Sequence, residues 1–238
     1  ATNVSIGGGG GSLTVVTNLA VGRPTTITNA LGETQSFQYD TEGRLTRTTN
    51  PEGDYVEQAL DARGNVTLVT ATPKPGSGLS PVSSSTTYPA SCANPVTCNL
   101  PTATTDARGN VTDYTWDATH GGPLTVTSPA PTPGADRPQT RYTYAPQTAY
   151  FKNSGGAIVA APTAITLPTA VSSCVTGTSC IGTANEVRAT VAYGAAGVAN
   201  NLLPSSSSQG SGANPAMAVT ALTYTPNGDV ETVDGPLP

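Results

Sequence analysis

The segment Phe37-Gln38-Tyr39-Asp40-Thr41-Glu42-Gly43-Arg44-Leu45-Thr46 contains the pattern that decides the fold of this chain. Large residues alternate with polar ones up to Tyr39, as in a strand with one apolar face. Asp at the first turn position accepts a hydrogen bond from the backbone two residues on, and Gly at the fourth position tolerates a positive φ. The segment therefore predicts a β-hairpin: a strand, a tight turn with a bulge, and a second strand.

The same pattern recurs, and alignment on the residue before the turn gives six rows. That residue is Tyr39, Leu60, Trp116, Tyr144, Tyr193 and Tyr224 in turn. Two residues earlier the rows read Phe37, Gln58, Tyr114, Tyr142, Val191 and Leu222. Because a single hairpin cannot bury its apolar face, stacked neighbours are expected to form a long antiparallel sheet with the aromatic row buried.

The residues after each turn predict where the second strand begins and ends. The second residue after the turn glycine is apolar in five units: Leu45, Val66, Leu124, Ala199 and Val230. A proline then follows as a predicted break: Pro51, Pro73, Pro129, Pro204 and Pro236. Gly43 and Gly64 lie 21 residues apart, which suits two short strands and two turns.

The composition favours an all-β fold and argues against several classes of protein. The 238 residues include 26 Gly and 21 Pro, and no long segment keeps an apolar pattern at helical spacing, so almost no helix is expected. A formal charge of −5 argues against a nucleic-acid partner, which requires clustered Lys and Arg. No apolar run is long enough to predict a membrane span, and no secretory signal is visible.

The four cysteines form two pairs with equal spacing, Cys92 with Cys98 and Cys174 with Cys180. Two local disulfides are the favoured interpretation, and they indicate an oxidising, extracellular compartment. A metal site with four thiolate ligands is the alternative, although the cysteines of metal sites are usually spaced more closely.

The chain is predicted to be a single array over residues 1–238. Repeats are clear in 22–129 and degenerate in 136–236, with cysteine-containing inserts at about 73–101 and 145–185. The Ser- and Gly-rich stretch 204–215 is a third predicted interruption, of a composition that is normally flexible. The run Gly7–Gly11 lacks the Gly-Lys-Ser/Thr ending of a phosphate-binding loop.

Residues with catalytic chemistry are few, and the repeat accounts for most of them. His120 is the only histidine and falls in a turn, where it is expected to be an exposed turn residue rather than a catalytic base. Asp40, Asp61 and Asp117 recur at one turn position, so the turn explains them better than a glycosidase pair or a calcium site does. We therefore expect no catalytic residue, no metal and no cofactor.

Three segments resemble the YD repeat of RHS proteins, in which Tyr-Asp is followed by Gly-Arg-Leu or Gly-Asn-Val. They are 37–46, 61–67 (Asp-Ala-Arg-Gly-Asn-Val-Thr) and 106–114 (Asp-Ala-Arg-Gly-Asn-Val-Thr-Asp-Tyr). The resemblance implies a secreted or cell-surface protein whose repeats spiral into a β-sheet shell. Such shells enclose a toxin in bacterial RHS proteins and Tc-type toxins, and teneurins contain a related barrel.

The sequence thus predicts a non-enzymatic extracellular structural protein, either a segment of an RHS shell or a subunit of a fibre-like assembly. Its expected partners are copies of itself or adjacent RHS segments. One alternative is a carbohydrate-binding or cell-surface adhesion module, in which Tyr114, Trp116, Tyr142 and Tyr144 face solvent and stack on sugars. Another alternative is the part of a polymorphic toxin that encapsulates its cargo.

Overall fold

The computed structural model describes residues 2–7, 12–18, 22–214 and 218–236. The chain divides into two compact units, residues 1–111 and 112–238. The described residues form nineteen strands and no helix, and hence no helix suited to crossing a membrane. The all-β prediction is confirmed. Most of the Gly7–Gly11 run lies outside the described residues.

The first unit is an antiparallel meander in which each strand pairs with the next one along the chain. Its strands are β1 (Thr2–Gly7), β2 (Ser12–Asn18), β3 (Arg23–Thr28), β4 (Thr34–Tyr39), β5 (Leu45–Thr49), β6 (Tyr55–Leu60), β7 (Val66–Thr72), β8 (Val82–Thr87) and β9 (Ala103–Thr105). The first cysteine-containing stretch therefore contributes β8 to this sheet.

The second unit repeats the meander, with a small two-stranded sheet inserted after its third strand. The main strands are β10 (Val111–Trp116), β11 (Pro123–Thr127), β12 (Gln139–Gln147), β15 (Ile165–Cys174), β16 (Glu186–Tyr193), β17 (Pro204–Ser211), β18 (Ala218–Tyr224) and β19 (Val230–Asp234). The inserted hairpin consists of β13 (Tyr150–Lys152) and β14 (Ile158–Ala160), which pair with each other.

The turn at residues 40–43 has the geometry predicted for it. The Asp40 N–H donates to the Arg44 carbonyl at 3.0 Å, the Gly43 N–H donates to the Asp40 carbonyl at 3.1 Å, and Gly43 has a φ of 77°. The register then shifts, because Tyr39 pairs with Leu45 while Gln38 pairs with Arg47, which leaves Thr46 unopposed. The same shift occurs at Thr17, Leu60, Trp116, Tyr144, Tyr193 and Tyr224.

The structure corrects several predicted boundaries. The strand after Tyr193 begins at Pro204 and not near Ala199, and Pro204 starts a strand instead of breaking one. The predicted interruption 204–215 is wrong over Pro204–Ser211, because those residues form β17 between β16 and β18. Pro51, in contrast, lies inside the turn that joins β5 to β6, where the break was predicted.

The aromatic row is half-buried, so the prediction of a buried row is wrong. The described apolar residues that are fully buried are Cys98, Cys174 and Cys180. Side chains on the face of a meander are covered mainly by those of neighbouring strands, which leaves residues such as Tyr39 and Trp116 in partial contact with solvent.

Candidate functional site

Tyrosine hydroxyls join successive hairpins at the bulges. Tyr39 Oη donates to the Pro24 carbonyl at 2.8 Å, and Tyr144 Oη donates to the Pro123 carbonyl at 3.0 Å. The same bond joins Tyr193 to Pro168 and Tyr224 to Pro204. Each acceptor proline is paired with the residue of the neighbouring strand at which the register shifts: Thr17, Trp116, Tyr144 and Tyr193 respectively. We call each of these bonds a Tyr–Pro junction.

The unopposed residue makes a second bond at four of the seven described bulges, three of which also carry a Tyr–Pro junction. Thr25 and Thr67 donate from Oγ1 to the carbonyls of Val16 and Ala59, at 3.1 and 3.2 Å. Thr169 Oγ1 likewise donates to the Thr143 carbonyl, and Ser205 Oγ donates to the Tyr193 carbonyl. Sequence reasoning missed both bonds, although Pro followed by Ser or Thr at 24–25, 168–169 and 204–205 is a readable signal.

One repeat uses a substitute for the tyrosine hydroxyl. Leu60 stands where other rows have an aromatic residue and has no donor to offer. Gln58, two residues earlier, donates instead from Nε2 to the Leu45 carbonyl at 2.6 Å. The bond between neighbouring hairpins is therefore kept although the residue that makes it differs.

The repeated aspartates are turn residues, as predicted. The Asp106 carboxylate accepts bonds at 2.8 Å from the N–H groups of Arg108 and Asn110 and from the Asn110 side chain. The side-chain bond from Asn110 is the largest of the effects that hold the pKa of Asp106 below its ordinary value. Asp40 and Asp61 accept the corresponding backbone bonds. Their carboxylates are thus already engaged by the turn.

The degenerate repeats lack this Asp for local reasons. Thr225 replaces it functionally, because its Oγ1 accepts a bond from the Asp229 N–H at 3.2 Å. At Gly194 an added Cβ would lie 2.8 Å from the Asn201 Cα, so a larger residue cannot be accommodated without a backbone shift. After Tyr144 there is no tight turn, since β12 continues to Gln147.

His120 is engaged in its own turn. Its Nδ1 accepts a bond from the Gly122 N–H at 3.1 Å, and its ring lies 4.5 Å from the ring of Tyr144. Its Nε2 is 3.5 Å from the Asp117 carboxylate. The residue is exposed, as predicted, although its side chain packs on Tyr144.

Both cysteine pairs form disulfides, which confirms the favoured interpretation over the metal site. Beside the second disulfide, Glu186 is 3% exposed and accepts bonds from Ser172 Oγ at 2.5 Å and from the Gly182 N–H at 2.7 Å. Both bonds lower the pKa of Glu186, and the bond from Ser172 has the larger effect. Within the described residues no cluster of His, Cys, Asp and Glu has a composition that would hold a metal.

A cleft of about 510 Å³ lies in the second unit between the β13–β14 hairpin, residues 194–205 and β18. Asn201, 4% exposed, fixes the start of the hairpin: its Oδ1 accepts a bond from the Tyr150 N–H and its Nδ2 donates to the Thr148 carbonyl, both at 2.8 Å. Sequence reasoning missed this cleft, because residues more than 50 positions apart form it.

These features define a protein built from antiparallel hairpin repeats. Residues 19–55 match the RHS Repeat family, which confirms the resemblance to RHS/YD-repeat proteins over that stretch. No curated protein matches the chain.

Solved structures with similar chains include Tc toxin components. TcdB2-TccC3 without its hypervariable C-terminal region has 12% identity and a TM-score of 0.44, over 94% of this chain and 12% of that chain. TcdB2-TccC3 itself has 13% identity and a TM-score of 0.42, over 90% of this chain and 11% of that chain. The Tc holotoxin pore of Photorhabdus luminescens has 12% identity and a TM-score of 0.41, over 90% of this chain and 11% of that chain. This chain spans 12% of the length of the first of them.

Proposed function

We propose that this chain is a non-enzymatic segment of an RHS-repeat β-sheet wall, which pairs edge to edge with adjacent RHS segments or with copies of itself. The Tyr–Pro junctions carry this proposal. They join neighbouring hairpins at equivalent points of the repeat, and the bond from Gln58 to Leu45 takes their place in the Leu60 row, so that the hairpins within a unit are tied into one sheet. Such continuity is what a wall or a fibre requires.

The last strand of the second unit provides an edge for pairing. Among the described residues of that unit, β19 pairs with β18 alone. A strand paired on one side presents free N–H and carbonyl groups to another strand. Val230 and Val233 on this strand are 55% and 64% exposed, and a partner strand would cover apolar surface there.

The side chains with catalytic potential support a structural role. The carboxylates of Asp40, Asp61 and Asp106 accept bonds that close turns. His120 accepts a bond from the Gly122 N–H, and its ring is tilted against the ring of Tyr144. The two disulfides fit a secreted protein, since such bonds persist in oxidising compartments. A secreted wall of this kind suits the enclosure of a cargo, as in a polymorphic toxin.

Sedimentation velocity at increasing protein concentration tests edge pairing. We expect the chain to self-associate, and Val233→Lys to weaken that association because a charge on an edge strand opposes pairing. The matched control is Leu31→Lys, since Leu31 is 84% exposed but lies in the turn between β3 and β4. A chain that remains monomeric at every concentration, or equal weakening by both variants, contradicts the proposal.

Carbohydrate binding at a cell surface is a second candidate. The rings of Tyr114 and Trp116 lie 5.9 Å apart at an interplanar angle of 17°, and both residues are half-buried, so they form a partly exposed aromatic pair on one strand. Partly exposed aromatic residues of this kind suit contact with sugar rings. Binding on a glycan array that is lost in Trp116→Ala would support this candidate, and an array without any bound glycan would remove it.

A further inference from the structure

The cleft of the second unit is an apolar groove with one unmatched charge. Phe151, Ile158, Val198, Leu203 and Leu222 provide its apolar lining, and Phe151 and Ile158 are 48% and 42% exposed. Lys152 is the one charged residue of the lining. A groove of this size and composition is typical of sites for small ligands.

The polar side chains of the lining are mostly engaged within the protein. Asn200 Nδ2 donates to the Pro226 carbonyl at 3.0 Å, and Tyr224 Oη donates to Pro204. Ser205 Oγ donates to the Tyr193 carbonyl, and Thr225 Oγ1 accepts from Asp229. In the described part of the chain the Lys152 ammonium has no such partner, so it remains available to an anion.

The groove is also held open by a rigid frame. Asn201 ties the β13–β14 hairpin to the loop that follows β16, through bonds to Tyr150 and Thr148. Gly194 has no side chain, which allows the backbone of Asn201 to pack closely against it. A site whose walls are fixed before binding loses less conformational freedom when a ligand enters.

We propose that this cleft binds an amphiphilic monocarboxylate such as a medium-chain fatty acid. The carboxylate pairs with Lys152, and the alkyl chain lies against Phe151, Ile158 and Leu203. The positive charge of Lys152 favours an anionic head group, and the apolar lining favours an alkyl chain. Binding here does not depend on strand pairing at β19.

Titration calorimetry with decanoate, kept below its micelle-forming concentration, tests the proposal. We expect one decanoate per chain, with weaker binding of decanol, which lacks the charge. Lys152→Gln is expected to weaken decanoate binding about fivefold, the effect of one partly exposed ion pair. The matched control is Lys74→Gln, because Lys74 is the other lysine and is paired with Glu52 at 2.7 Å in the first unit.

Phe151→Ser provides an independent test of the apolar lining, since this half-exposed side chain can be replaced without opening the fold. It is expected to weaken both decanoate and decanol. The proposal is overturned if decanoate shows no saturable binding, if Lys152→Gln binds as the unmodified chain does, or if both lysine variants lose binding equally. A further outcome is that a capped apolar peptide binds to the cleft and decanoate does not. The cleft would then be a peptide site, and the proposal would also be overturned.

Discussion

At the scale of single residues, the tyrosine hydroxyl has a role that the aromatic ring alone does not explain. The ring of Tyr144 is half-buried against His120, and burial is the main reason that the pKa of Tyr144 is raised. Its hydroxyl reaches the Pro123 carbonyl of the preceding hairpin. Proline at that position keeps its carbonyl as an acceptor while it lacks an N–H, which suits a residue beside a bulge.

Removal of one hydroxyl tests the Tyr–Pro junction. Tyr144→Phe is expected to lower the free energy of unfolding by about 1 kcal/mol, the net value of one hydrogen bond of a partly buried group. Urea denaturation measures it. The control is Tyr142→Phe, because the described structure shows no hydrogen bond from that hydroxyl. Equal effects of the two variants would mean that the junction does not stabilise the sheet.

Glu186 predicts a dependence of stability on pH. Its pKa is below the ordinary value of 4.5 because Ser172 and the Gly182 N–H bind its carboxylate. The stability that it contributes is therefore present above that ordinary value and is lost as the pH falls through the lower pKa of the folded state. Thermal unfolding from about pH 6 to about pH 2 is expected to show this loss.

Glu186→Gln is expected to lower the melting temperature at neutral pH and to flatten the acid side of this profile. The control is Glu231→Gln, whose side chain is exposed on β19. An unchanged acid profile in Glu186→Gln would show that this carboxylate is not the source of the dependence.

What could be predicted at this scale was local. The bonds of Asp40 and Asp61 join residues two and four apart, so the turn pattern alone predicts their position. The bond from Tyr144 to Pro123 spans 21 residues and depends on the register of two hairpins. The relative register of two hairpins cannot be read from a single sequence, so this bond could not be predicted.

At the scale of elements, the second disulfide is part of a buried cluster whereas the first lies at a partly exposed loop. Both pairs close loops of the same length, with a sequence separation of 6. Cys174 and Cys180 are 4% and 2% exposed, while Cys92 is exposed. The second disulfide also holds the loop whose Gly182 binds Glu186.

Replacement of both cysteines of a pair by serine compares the two disulfides. Each double variant is expected to lose about 2 kcal/mol from the loop entropy of the unfolded chain. The Cys174→Ser, Cys180→Ser variant is expected to lose more, because it also places two hydroxyls in a buried position. Thermal unfolding measures the difference. A larger loss in the Cys92→Ser, Cys98→Ser variant would contradict this account.

Gly194→Ala tests the close approach that frames the cleft. The added methyl would meet the Asn201 backbone at 2.8 Å, so the loop is expected to shift and the protein to lose stability. The control is Gly235→Ala, where an added Cβ meets no atom within 4 Å. Equal melting temperatures for the two variants would show that the loop adjusts without cost.

The strand β17 shows where composition misleads about elements. Its sequence, Pro-Ser-Ser-Ser-Ser-Gln-Gly-Ser, predicts a flexible loop. It forms a strand because β16 and β18 pair with it on both sides, and Thr190 and Ser208 also share a hydroxyl bond at 2.5 Å. Strand formation by such residues is set by their neighbours more than by their own propensity.

At the scale of the whole molecule, the repeat accounts for the architecture of both units. Each unit is an antiparallel meander, and the match of residues 19–55 to the RHS Repeat family falls within the first of them. The sequence predicted the all-β class because period-2 rows and turn glycines are local signals. One array over residues 1–238 stays a prediction, since it concerns how the repeats continue from one unit to the next.

Amide hydrogen exchange on β19, in dilute and in concentrated protein, tests the central claim of a wall that pairs at its edges. The proposal predicts fast exchange in dilute protein at the amides of Val230–Asp234 that do not bond β18, and strong protection of these amides once the chains associate. Strands β4 and β5, paired on both sides in the first unit, are expected to be protected under both conditions. Association that leaves β19 unprotected, or exchange that does not change with concentration, would contradict it.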